Sequence, residues 1–376
     1  MVYRNVDDIE EDLVSLSQTY STTSKIIELP KKSIEGRTIH AIIIGKNKEN
    51  TSNKSILFTG GVHAREWGGS DICVSFAADI LESYSINKGL RYGHQYFNAV
   101  QIKKIVDELN LIILADVNPD GRAYSQSDPT HRMWRGNRNL NDSSCFGVNL
   151  NRNFDFLWDY KKCFSPDANV HTSNDPCDSS QTYCGKYAFS EPETQNIKWL
   201  LDKYHDIGHY IDIHCFGGSF LHSWGVDQNQ SSNPNMNFGN SYYNNVRGKD
   251  EDNEYQEYIL KNDLQYITSL GTAFHESVKN SSGKDYEIKQ GFYLYPTSGC
   301  SDDYSYSRHI LHPSQKIYGF TLEFGKNVPG DFQPPWNEME KIIIEVSSGL
   351  VGFSSHVLNN QPVSTIVNIF RSSRRI

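Results

Sequence analysis

Apolar residues gather in short runs rich in branched side chains: "TIHAIIIG" (38–45), "SILFTGG" (55–61), "LNLIILADV" (109–117), "HYIDIHCF" (209–216) and "IYGFTLEFG" (317–325). Several of these runs are continuous and do not alternate, as expected of strands buried on both faces. Between them, apolar positions recur at helical spacing over 6–18, 70–84, 190–205, 263–279 and 335–354. The helix over 190–205 opens with Ser190 and has Glu193 three residues on, the spacing of a capping box. The last helix follows Pro334, starts at Pro335 and carries Trp336, Met339, Ile343, Val346 and Leu350 along one face, so it packs on the core. Strands that alternate with helices predict an α/β fold around a mixed, largely parallel twisted sheet. No segment repeats and no Pro-rich or Gly/Ser-rich linker divides the chain, so 1–354 reads as one domain and 355–376 as a C-terminal extension. The long polar stretch beginning at Val226 reads as a surface excursion kept partly packed by its aromatics.

Composition narrows the class. The chain has 376 residues, 37% apolar and 22% charged, with a net charge of -9, which is ordinary for a soluble globular protein. No run reaches the ~18–20 apolar residues of a membrane span, and the start "MVYRNVDDIEEDL" lacks the pattern of a signal peptide. No membrane association is expected, and localisation stays open between secreted and cytoplasmic. The acidic balance, with no basic stripe before the final "FRSSRRI", argues against nucleic acid as a partner. Seven cysteines leave at least one unpaired thiol. Cys145, Cys163, Cys177 and Cys184 lie close together in a loop-like region, where disulfides or reduced buried thiols fit equally well.

In open α/β sheets the binding crevice lies beyond the carboxyl ends of the strands. "SILFTGGVHARE" brings His63 and Glu66 to that edge, "HYIDIHCFGG" brings His214, and "IYGFTLEFG" brings Glu323. With 13 histidines in the chain, one His-x-x-Glu pair is expected by chance, and a lone strand-end histidine is more often a core residue. Glu323 is harder to dismiss, because a carboxylate in an apolar run is costly to bury without a partner. Together, His63, Glu66 and His214 form a His₂Glu set that suits Zn²⁺ with one position left open. Glu323 remains as a carboxylate able to take a proton from water, the minimum for metal-assisted hydrolysis. "HRMWRGNRN" and "GVNLNRNFD" add Arg135, Arg138, Asn151 and Arg152 on loops. An arginine beside an amide donor makes a fork for a carboxylate, so the substrate should be a chain end.

At this point the sequence resembles the zinc carboxypeptidases of the pancreatic carboxypeptidase A and B type. "EGRTIHAI", "GGVHAREW", "NPDG", "HRMWR", "GVNLNRNFD", "GKYAFSEPET", "IDIHCF", "YPTSGCSDDYSYSR" and "FTLEFG" occur in that family's order and approximate spacing, from about residue 3 to residue 354. The resemblance implies an eight-stranded sheet with helices on both faces and removal of one C-terminal residue from peptides or proteins. It implies one Zn²⁺ per chain held by His63, Glu66 and His214, Glu323 as general base, and Arg135 at the oxyanion. Asn151 and Arg152 would clamp the terminal carboxylate, Tyr295 would close over it, and Arg65 would line the adjoining subsites. Asp302, where A-type enzymes carry an apolar residue, implies preference for C-terminal Lys or Arg. The alternatives are an apolar or mixed preference, a silent module that binds C-termini, and a hydrolase of non-standard termini. Asn149 replaces the family's usual Asp behind the first zinc histidine, and Phe216 replaces a Tyr. The chain begins at the catalytic domain's first helix, which implies no propeptide, and it is expected to act as a monomer. The family's common disulfide implies Cys145–Cys177, with Cys163–Cys184 as a second pair.

Overall fold

A computed structural model describes residues 2–48, 54–141, 144–249, 254–311, 316–330 and 332–360. Eight strands form the main sheet: β1 (Ser24–Glu28), β2 (His40–Ile44), β3 (Lys54–Gly60), β4 (Leu109–Leu114), β5 (Ile207–Cys215), β6 (Ser219–His222), β7 (Glu287–Gln290) and β8 (Tyr318–Phe324). Their spatial order is β1-β2-β4-β3-β5-β8-β6-β7. The central strands β4, β3, β5 and β8 run parallel to their neighbours in that group. Antiparallel pairing occurs at β1–β2, β2–β4 and β8–β6, and β6–β7 is parallel again. Every residue of β4 is buried, which explains its unbroken apolar run. The sequence reading omitted β1, β6 and β7.

Alternation along β8 separates the two faces of the sheet. Phe320 meets Phe353 edge-on at 5.5 Å on one face, where Phe220 of β6 also stacks on Phe274 at 4.6 Å. Those partners belong to helices α6 (Lys261–Ser282) and α8 (Trp336–Asn359). On the other face Gly319 lies against α7 (Ser301–Leu311), where any Cβ would collide with the backbone oxygen of Asp302. Thr321 and Glu323 share that second face, as do Tyr210, Asp212 and His214 of β5, so helices cover both sides and the polar residues collect on one.

The remaining principal helices are α1 (Val6–Thr19), α2 (Gly68–Ser85), α3 (Ala99–Glu108), α4 (Pro119–Ser127) and α5 (Pro192–Lys203). A Cβ on Gly60 at the end of β3 would lie 2.7 Å from Gly69 O, so the turn into α2 closes only with glycine there. The capping box expected at Ser190 does not form. Pro192 starts α5 at its first turn, Glu191 occupies the cap position without a capping hydrogen bond, and the Ser190 hydroxyl donates to Glu191 Oε1 at 2.6 Å.

Helix α8 continues to Asn359, five residues past the boundary placed at 354, and 361–376 lie outside the described residues. By length and composition α8 could cross a membrane, but 67% of its apolar stretch is buried in the protein. Its small residues let it pack closely on α6: Ser348 Oγ donates to Ser277 O at 2.9 Å, and Gly349 faces Phe274. The polar excursion after Val226 folds around buried Arg247, whose guanidinium reaches the carbonyls of Cys163, Asn240 and Phe238.

Cys145 and Cys177 are joined as a disulfide. The second expected pair is absent, since Cys163 and Cys184 are both free thiols. Different structures anchor their backbones. The carbonyl of Cys163 is bonded to Arg247 and Asn245, and that of Cys184 to Asn153 and Trp158.

Candidate active site

The chain leaves β3 at Gly60 and makes a turn in which Glu66 N donates to His63 O at 3.0 Å and Ala64 N to Arg135 O at 2.9 Å. This turn places His63 and Glu66 side by side, and His214 arrives from the end of β5. His63 Nδ1 lies 2.9 Å from Glu66 Oε1 and 3.0 Å from His214 Nδ1, which is itself 3.0 Å from Glu66 Oε2. All three side chains are buried, and their ligand atoms lie within 4.8 Å of one another.

Outward bonds fix which nitrogens face inward. His63 Nε2 lies 3.0 Å from Asn149 Oδ1, and His214 Nε2 lies 2.9 Å from Asp212 Oδ2. The Asn149 amide is pinned the right way round, because Oδ1 also accepts from Asn151 N at 3.1 Å while Nδ2 donates to Gln181 O at 3.3 Å. Asp212 accepts from Thr59 Oγ1 at 2.7 Å and Ser301 Oγ at 2.8 Å. With His63 Nε2 bonded outward and His214 Nε2 facing Asp212, both Nδ1 atoms and both Glu66 oxygens converge on one buried point. Such a set is satisfied by a shared proton or by a metal ion, and two imidazole nitrogens with one carboxylate are a zinc donor set with an open position. The residues present therefore fit zinc.

The electrostatics agree. Burial, helped by Arg135, pushes the His63 pKa down to about 3, which keeps it neutral. Burial opposes a charge on His214, but the Asp212 and Glu66 carboxylates hold its imidazole well above the usual range. Burial likewise opposes ionisation of Glu66, which the two histidines hold well below the usual carboxylate range. A bound cation would take the place of the proton shared by this group.

Glu323 pairs in register with His214 on the neighbouring strand, so the two side chains stand together. Burial and the adjacent Glu66 charge push its pKa up to about 7, and Glu323 Oε2 has no hydrogen-bond partner among the described residues. A carboxylate poised near neutrality suits a general base.

Around this centre a cleft with an empty volume of about 450 Å³ is lined by His63, His214, Glu323, Arg135, Asn151, Arg152, Tyr295 and Asp302. Arg135 sets Nη1 3.5 Å from Glu66 Oε1, and its backbone N–H donates to Gln181 Oε1 at 2.8 Å. Arg152 is held by His171 O and Asn151 O, each at 2.5 Å, and by Cys300 Sγ at 3.3 Å. Asn151 Oδ1 accepts from Ser301 N at 2.8 Å, which leaves its amide nitrogen for a ligand. Arg65 sets its guanidinium 4.0 Å over the Phe332 ring, and Phe216 packs edge-on against the same ring at 5.1 Å. Arg138 is not part of the cleft. It sits 3.6 Å over the Tyr124 ring and pairs with Glu35.

Sequence reasoning missed Asp212, Gln181, Cys300 and His171. Asp212 carried a readable signal, since it stands two residues before His214 and so shares its strand face. The other three come from loops whose approach depends on tertiary structure.

Comparison with known proteins identifies the family. A zinc carboxypeptidase family profile matches residues 9–347. Carboxypeptidase B of Helicoverpa zea is 30% identical over 61% of this chain and 48% of its own length, and carboxypeptidase B of Bos taurus is 27% identical over 86% and 64%. The chain thus spans about half to two thirds of the length of these relatives. Carboxypeptidase B of Astacus astacus is 26% identical over 87% of this chain and 91% of its own. Among solved structures, bovine thrombin-activatable fibrinolysis inhibitor in complex with tick carboxypeptidase inhibitor shares the fold, with a TM-score of 0.70, 20% identity, and coverage of 94% of this chain and 97% of that one. With the profile covering nearly the whole described domain and the donor set in place, the chain belongs to the zinc carboxypeptidase family.

Proposed function

We propose that this protein is a zinc-dependent exopeptidase that removes the C-terminal residue of peptides or proteins, with one ion per chain and preference for Lys or Arg. One observation carries the reading: a buried His63/Glu66/His214 set with its ligand atoms within 4.8 Å of one another stands beside Glu323, whose Oε2 has no hydrogen-bond partner among the described residues, in the same cleft as Asn151 and Arg152. His63 Nδ1, His214 Nδ1 and the Glu66 carboxylate would hold zinc, which supplies a Lewis acid that polarises the scissile carbonyl and lowers the pKa of the attacking water towards ~7.

The chain's own groups do the rest. Asn151 and Arg152 bind the terminal carboxylate and so set which peptide bond lies at the centre. Glu323 takes the proton of the attacking water and returns it to the leaving amine. The Arg135 guanidinium stabilises the developing oxyanion, and Tyr295 covers the bound terminus. Arg65, Phe332 and Phe216 line the way to the preceding residues.

Specificity rests on Asp302. It is buried in the cleft wall on α7, and among the described residues it forms no ion pair. Burial pushes its carboxyl above the usual range, as it does the adjoining Asp303, whose Oδ2 is already taken by Gly225 N at 2.9 Å. A substrate ammonium or guanidinium would supply the missing countercharge. Release from peptides ending in Lys, Arg, Leu and Phe, with and without a chelator, tests the reading. Asp302→Ile should reverse the Lys/Phe ratio by about 10-fold or more, in line with a partly desolvated charge pair. An unchanged ratio removes Asp302 from the specificity account. A silent binding module is disfavoured by the intact Glu323.

A further inference from the structure

Tyr295 is held by a residue that the catalytic account leaves unused. Its ring stacks face to face on the His171 imidazole, with centroids 4.1 Å apart and planes 8° from parallel. The Tyr295 hydroxyl forms no hydrogen bond with Asn151, Arg152 or Arg135. The same His171 is tied through its backbone to both sides of the clamp. Its carbonyl accepts from Arg152 Nε at 2.5 Å, and its N–H donates to Pro296 O, next to Tyr295, at 2.9 Å. Tyr295 borders both the catalytic cleft and a larger adjoining cavity of about 1170 Å³, which His171, Asp167 and Lys249 also line. The ring thus borders two open spaces and rests with one face against the His171 imidazole.

Given the reading of Tyr295 as the cover of the substrate terminus, we propose that His171 is a positioning residue that parks the Tyr295 ring in its substrate-free place. On this proposal the ring leaves the imidazole to cover a carboxylate held by Asn151 and Arg152. The stack thus competes with closure and weakens binding of the terminus. The backbone bonds from His171 to Arg152 and Pro296 do not depend on its side chain, so removal of the imidazole leaves the Arg152 clamp intact. Aromatic pairs have strengths that correspond to roughly 3- to 10-fold in an equilibrium constant.

The test is a double-mutant cycle on the zinc-loaded full chain, with kcat and KM measured on a peptide ending in the enzyme's preferred residue and the inhibition constant measured for that free amino acid as product. His171→Ala should lower both KM and the product inhibition constant by about 3- to 10-fold, with kcat within about 2-fold of the parent. His171→Phe keeps a stacking face and should stay within about 2-fold of the parent on all three. In a Tyr295→Ala background the His171→Ala change should have no effect. A rise in KM, an unchanged KM, or an equal shift with and without Tyr295 would overturn the proposal, because each denotes a structural role or none. Failure of the carboxypeptidase reading looks different: the parent itself would release nothing. In that case the same cycle, read by calorimetric binding of the peptide, decides the role of the stack.

Discussion

The two histidines proposed to hold zinc are backed by different chemistry, although their geometry is nearly the same. His63 donates to the neutral Asn149 amide at 3.0 Å, and His214 faces the Asp212 carboxylate at 2.9 Å. Each partner fixes the tautomer, which is the requirement for turning Nδ1 inward. Only Asp212 also raises the basicity of its histidine: with Glu66 it holds His214 well above its usual range against burial, whereas burial and Arg135 keep His63 neutral. Orientation and charge, which most sites obtain from one carboxylate, are here separated between two positions. The amide works because Gln181 O and Asn151 N hold it the right way round.

That separation can be broken from the charged side first. Asp212→Ala removes the carboxylate behind His214 and strands the Thr59 and Ser301 hydroxyls, so zinc affinity should fall by about 100-fold and the fold should lose roughly 2–4 kcal/mol. Chelator competition and thermal melts measure the two losses. On the neutral side, Asn149→Ala should weaken zinc by about 10-fold, whereas Asn149→Asp should tighten it by about 3- to 10-fold, since the added charge acts on an already oriented ring. If Asn149→Asp left the affinity unchanged, charge would not be what distinguishes the two histidines.

A buried acid elsewhere shows how little an amide can do for a charge. Asn137 Nδ2 donates to both Glu191 Oε2 at 2.6 Å and Glu193 Oε2 at 3.1 Å, yet burial still pushes the Glu193 pKa up to about 8. Because the folded value exceeds the unfolded one, this group stabilises the fold fully below about pH 4.5 and loses that contribution as pH rises through about 8. Glu193→Gln should therefore raise stability at pH 8 by roughly 2 kcal/mol and change it little at pH 4.5, as read from denaturant midpoints.

The fold was legible where strands are buried on both faces. The runs containing β2, β3, β4, β5 and β8 showed themselves as unbroken apolar segments. Strands β1, β6 and β7 were missed because none carries a long apolar run, and β7 in particular reads "EIKQ", an edge strand defined by pairing with β6 and not by its own pattern. The start of α5 was misplaced because Pro192 overrode the Ser190 signal. The convergence of His63, Glu66, His214 and Glu323 was legible because strand ends deliver them to one edge, and family motifs pointed to Asn151 and Arg152, which line the same cleft. Gln181 and His171 were not legible, since each matters only through loops brought together by tertiary structure. The pairing of Cys163 with Cys184 failed for the same reason.

The central claim is that Glu323 performs proton transfer beside a centre built by His63, Glu66 and His214, without itself holding the metal. Side-by-side turnover of a peptide ending in Arg by the zinc-loaded parent and by Glu323→Gln, each with its zinc content determined, tests this most directly. The account predicts equal zinc in both proteins and at least a ~10³-fold lower kcat in the variant, the lower range of contributions from a positioned base. Loss of zinc from Glu323→Gln, or turnover within ~10-fold of the parent, would contradict it.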